Sequence, residues 1–108
     1  MLLLSDVYRL TRNFPQSEAY GLTNQLQRAA VSIPSNIAEG MGRFSIKERM
    51  HFLEISNGSL MEVMCQLEIA QLLGYITTEE LQEQEKKIAA LAKMMIGLRN
   101  KLEEKNNV

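Results

Sequence analysis

Tryptophan is absent, cysteine and histidine occur once each, proline twice, and aromatic residues make up 6% of the 108 positions. The lone Cys65 excludes a disulfide within the chain and fits a reducing compartment. No apolar run approaches the roughly 18 residues that span a bilayer. The opening "MLLLSDVYRL" has neither the basic start nor the small-residue cleavage site of a secretory leader. These features read as a cytoplasmic protein that makes no use of a membrane. Neither sign of charge dominates: 12 Lys and Arg against 13 Asp and Glu leave −1, which argues against strong nonspecific attraction to nucleic acid or anionic lipid.

What is present is the composition of a helical domain. Apolar residues reach 45% and charged residues 23%, too apolar a balance for disorder, and 108 residues suffice for one domain with one modest core. The whole chain, residues 1–108, is read as that single domain.

Charge is unevenly spread. Residues 1–50 hold six Lys and Arg against four Asp and Glu, or +2, and residues 51–108 hold six against nine, or −3. Arg9, Arg12, Arg28, Arg43, Lys47 and Arg49 are the candidates for a local basic face toward a partner or nucleic acid.

Glycine and proline punctuate the chain at Asn13–Gly21, Gly40–Phe44 and Gly74–Thr78, leaving four helical segments. The first, about Leu2 to Arg12, is short, with Leu3, Val7 and Leu10 on one face. The second, about Leu22 to Met41, aligns Leu22, Leu26, Ala29, Ala30, Ile33, Ile37 and Met41. The third starts at Ser45, where Ser45 and Glu48 make a capping box, and carries Ile46, Leu53, Leu60 and Leu67 seven apart to Leu73. Gly74 ends it. A second box at Thr77 and Glu80 starts a fourth helix with Leu81, Ile88, Met95 and Leu102 seven apart. Short connections between such helices predict an all-α, up-down-up-down antiparallel four-helix bundle with a short first helix.

Pro34 lies inside the second segment. It removes one backbone donor and crowds the Ala30 carbonyl, so a kink there, or a split after Ser32, is expected. Equal rise from the second turn sets Ala29 and Ala30 opposite Asn57 and Gly58, and a close approach of the two helices would explain a glycine in a helix interior. The third helix also has more apolar surface than one seam needs, with Phe52, Ile55, Ile69 and Leu72 off the heptad line. A homo-oligomer would cover it.

Reactive chemistry finds little support. His51 and Glu48 have the Glu-x-x-His spacing of di-iron bundles, but such a site needs two of these motifs and two further carboxylates. Cys65 lies 14 residues from His51, about 21 Å along a helix, too far for a nucleophile and its base, and reads as a small packed residue. No base accompanies Ser32, Asn36 and Glu39. No catalytic residue, metal site or cofactor is therefore expected. Phe14, Tyr20 and Tyr75 are expected as plugs at helix ends.

The stretch "FPQSEAYGLTNQLQRAAVSIPSNIAEGMGR" followed by "FLEISNGSLMEVMCQLEIAQLLGYI" closely resembles the bacterial four-helix family named for proteins encoded in intervening sequences of 23S rRNA genes. That family includes the accessory variability proteins of diversity-generating retroelements. The resemblance covers about residues 7 to 105, and its signature falls on Arg28, Ser32, Pro34, Ser35, Asn36, Glu39, Gly40, Gly58 and Ser59, whose roles it implies are mainly structural. It implies a bundle that assembles into a barrel-like ring, often a pentamer. In the retroelement branch it implies a basic protein that binds a reverse transcriptase and RNA or DNA. The family's first helix is usually longer, so the chain is expected to start within it, and the slightly acidic total departs from the basic retroelement proteins. The leading expectation is a non-catalytic self-assembling adaptor, and the alternative is a nucleic-acid-binding accessory protein.

Overall fold

The computed structural model describes residues 2–106, which form four α-helices: α1 (Leu2–Thr11), α2 (Leu22–Met41), α3 (Ile46–Leu72) and α4 (Thr78–Asn106). A short 3₁₀ turn, Gln16–Glu18, interrupts the first connection. Among the described residues there is no strand, and no helix is long and apolar enough to cross a membrane.

The starts of α3 and α4 have a local chemical cause. The Thr77–Glu80 box closes in both directions: the Glu80 amide donates to Thr77 Oγ1 at 3.0 Å and the Thr77 amide to Glu80 Oε1 at 2.8 Å. At Ser45 one half forms, the Glu48 amide donating to Ser45 Oγ at 3.3 Å. Gly74 ends the α3 segment at φ +79°, the left-handed region open to glycine, and the Tyr75 amide then reaches back to the Ala70 carbonyl at 2.8 Å.

The core takes one stripe from each helix. Leu3, Val7 and Leu10 come from α1, Leu26, Ala29, Ala30 and Ile33 from α2, Leu53, Leu60, Val63, Leu67 and Ala70 from α3, and Leu81, Ile88 and Met95 from α4. Fully burying one such leucine is worth about 1.5–3 kcal/mol, so these stripes supply most of what orders the helices. Phe14 and Ile76 close the end where the loops gather, with the Phe14 and Tyr75 rings 5.4 Å apart. Tyr20 does not join them: it is 97% exposed.

Between α2 and α3 the contacts step in opposite directions along the two helices. Gly40 lies against Phe52, the Ile33 carbonyl accepts from Ser56 Oγ at 2.8 Å, and Ser32 Oγ accepts from Ser59 Oγ at 2.8 Å. This register corrects the expected one. Gly58 faces open space, with nothing within 4 Å of where its Cβ would stand. The reason is helical phase: Ser56 shares the face of Leu60, Val63 and Leu67, whereas Gly58 is about 200° around the helix from Ser56. The small residues at the close approach are Ser56 and, near the turn, Gly40, where a Cβ would meet the Phe52 Cβ at 3.0 Å.

Two further expectations are corrected. The second helix does not split after Ser32; α2 continues through Pro34 to Met41. Cys65 is not packed but exposed, because it too lies on the outer side of α3.

Candidate functional site

Pro34 has no amide to give the Ala30 carbonyl, and polar side chains gather around that point of α2. The Asn36 side-chain amide donates to both the carbonyl and the hydroxyl of Ser32, each at 2.8 Å, and Ser59 donates to the same hydroxyl from α3. Ser56 supplies the Ile33 carbonyl with a second donor. Hydroxyl and amide are thus spent within the helix pair, and Ser32, Asn36 and Ser59 form a polar weld with no titratable member. Ser35 is exposed.

Beside the weld lies an open polar depression of about 270 Å³ lined by Asn24, Gln25, Arg28, Ala29, Ser32, Ser59 and Glu62. Arg28 borders it and also a neighbouring hollow toward Tyr8 and Val31.

The six basic candidates fall into two groups. Arg9, Arg12 and Arg28 are exposed on α1, just after it and on α2, with Arg9 held to Asp6 at 3.5 Å. Arg43, Lys47 and Arg49 flank the α2–α3 turn. Within that group Arg43 is committed to Glu39 at 2.7 Å and lies 4.9 Å over the Phe52 ring, and Arg49 Nε donates to the Arg43 carbonyl at 2.6 Å. Lys47 is exposed.

The titratable centre of the molecule is elsewhere, at Asp6. Burial alone would raise its carboxyl, but hydrogen bonds from Lys87 and Gln84, the Lys87 charge and a bond from Arg9 outweigh that and hold it below its ordinary value of 3.8. This cluster pins α1 on α4, while Gln27 Nε2 donates to Thr11 Oγ1 at 3.0 Å and ties α1 to α2. Near the loops Tyr75 Oη donates to Glu18 Oε2 at 2.9 Å, which raises the phenol above its usual 10.0. His51 is exposed, and among the described residues no three His, Cys, Asp or Glu side chains gather as metal ligands would.

Sequence reasoning missed Asp6, Ser56 and Gly40. Ser56 was legible: a serine in phase with Leu60 and Leu67 must enter the seam. Gly40 was read as part of a helix stop and, through the resemblance, as a structural signature residue, but not as a contact to Phe52. Asp6 had no signal, since its partners are 78 and 81 residues away.

The model of the 23S rRNA-intervening sequence protein family matches residues 1–97, which takes in α1, α2, α3, α4 as far as Gly97 and all the residues of the weld. The chain belongs to that family. No curated protein sequence shows significant similarity to it. Within this family member the signature residues divide by position: Ser32, Asn36, Gly40 and Ser59 lie at the α2–α3 junction, Arg28, Ser35, Glu39 and Gly58 on the surface, and Pro34 is half-buried in α2.

Proposed function

We propose that this protein is a non-catalytic helical bundle that acts through self-assembly, a closed homo-oligomer presenting its polar and basic surfaces to a partner. The observation that carries the reading is the outer side of α3. Met61, Cys65, Ile69 and Leu72 follow one another at helical spacing there and are all exposed, Leu72 at 81%. A run of apolar side chains on the far side of a helix whose near side already fills the core calls for a second surface. Glu62 and Glu68 beside this run, and exposed arginines such as Arg9 and Arg12 on and just after α1, give copies of the chain a means to choose an orientation.

Native mass spectrometry of protein purified without nuclease, with absorbance at 260 and 280 nm on the same sample, tests the reading. An oligomer free of nucleic acid that falls to monomer when Met61 and Ile69 are both changed to Glu is the expected result. A monomeric wild type overturns it. Copurifying nucleic acid, lost steeply as salt rises, replaces it with the nucleic-acid-binding alternative.

A further inference from the structure

We propose that the outer face of α3 pairs with the same face of a second copy, antiparallel and about a two-fold axis that passes Gly58. Such a pairing rests on the self-assembly reading above and supplies the surface that α3 meets. Gly58 stands near the middle of α3, Ile46–Leu72, where glycine weakens a helix relative to alanine. Among the described residues nothing comes within 4 Å of where its Cβ would stand. A glycine on the outside of a helix repays its cost when another backbone approaches there.

The residues around Gly58 make a pattern that reads alike in both directions. His51 and Cys65 lie seven positions before and after it, and all three are exposed on one line of α3. Ile55 and Met61 lie three before and three after, both exposed. Phe44, just ahead of the helix and 99% exposed, and Leu72, its last residue, lie fourteen before and fourteen after. A helix laid antiparallel on its own copy sets each residue before the centre level with one after it. Ile55 then stands level with Met61, His51 with Cys65 and Phe44 with Leu72 of the other copy, each twice. Among the described residues α1 packs on α2 and α4 and not on α3, so it leaves this face open.

Charge fixes the direction. Lys47 and Glu68 share one flank of the stripe, eleven positions before Gly58 and ten after, and neither has an ion-pair partner among the described residues. The antiparallel pairing brings Lys47 of each copy beside Glu68 of the other, whereas a parallel one sets like charge on like. Glu48 follows Lys47 but is turned about 100° from it, toward α2. Glu54 comes level with Glu62 of the other copy, but the two lie on opposite flanks, about 80° apart around the helix. Each also lines a hollow with an arginine of its own chain, Glu54 with Arg99 and Glu62 with Arg28.

Cysteine cross-linking and native mass spectrometry of the full chain test the pairing. On mild oxidation His51→Cys should shift most of the protein to a covalent dimer, through the native Cys65 of the other copy. The wild type and the double variant His51→Cys, Cys65→Ser should stay uncrosslinked, because each offers only like residues about 21 Å apart along the paired helices, far beyond the reach of a disulfide. Lys47→Glu should weaken the dimer at least about tenfold, and adding Glu68→Lys should restore it. Within one chain these two residues are about 32 Å apart, so the rescue reports a contact between copies. An oligomer in which His51→Cys forms no covalent dimer, a covalent dimer from the wild type, a Lys47→Glu defect that Glu68→Lys does not relieve, or an odd number of copies overturns the pairing and leaves the assembly reading standing. A monomeric wild type overturns both.

Discussion

The two sides of the bundle are joined by different means. α2 and α3 hold each other through small residues, with Ser56 donating to the Ile33 carbonyl and Ser59 to the Ser32 hydroxyl where the backbones come close. α1 is held to α4 by one charged knot, in which Asp6 gathers Lys87, Gln84 and Arg9. The first kind of joint tolerates no added volume and ignores pH. The second tolerates volume and depends on a proton. A short helix has too little apolar area to anchor itself by packing alone, and a partly buried carboxylate concentrates the missing attraction at one point.

The largest effect expected from breaking this contrast is at the close joint. Ser56→Val should cost about 3 kcal/mol, by overpacking and by removing the hydroxyl donor to Ile33, and urea unfolding will show it at neutral and acid pH alike. Asp6→Ala comes next, at about 2 kcal/mol for the lost charge-assisted bonds. Its signature in hydrogen exchange is loss of protection confined to α1.

The sign of the pH effect follows from the lowered Asp6 value. Stability that this carboxylate contributes is present above its unfolded pKa and disappears as pH falls through the folded one. Protection of α1 in the wild type should therefore decline below pH 3.8, while an Asp6→Asn variant shows no such decline. A loss that α2 and α3 share equally would mean that the two joints are not independent.

The smallest change sharpens the comparison from outside. Gly58 touches nothing within the chain, so Gly58→Ala should stabilise the isolated bundle by about 1 kcal/mol or less through helix propensity. If a second copy approaches the α3 backbone at that point, the same methyl group will lower the native mass while raising the melting temperature of the monomer.

Helix number and limits were readable because their causes are local. The bounds of α2, the two caps at Ser45 and Thr77 and the stop at Gly74 each lie within a few residues of what produces them. The seam of α3 was readable from its heptads, and the identity of its close-packed residue was not, because a glycine drew the inference toward Gly58 although helical phase puts Ser56 at the contact. Cys65 and Tyr20 went astray for a related reason: residue type favours burial, but position on the helix or in the loop decides it. The Asp6 knot was beyond sequence reasoning altogether. Nothing near Asp6 announces a partner on the last helix.

The spans of these two joints also set an order in time. Ser56 and Ile33 are 23 residues apart, Asp6 and Lys87 81 apart, so closing the second loop costs about 1 kcal/mol more chain entropy than closing the first. The Asp6–Lys87 contact is therefore expected to close after the α2–α3 joint, whereas Thr11 and Gln27, 16 apart, let α1 meet α2 early. Damage at Ser56 will slow folding, whereas damage at Asp6 will leave the folding rate alone and quicken unfolding. The contact that arrives last is also the first to leave.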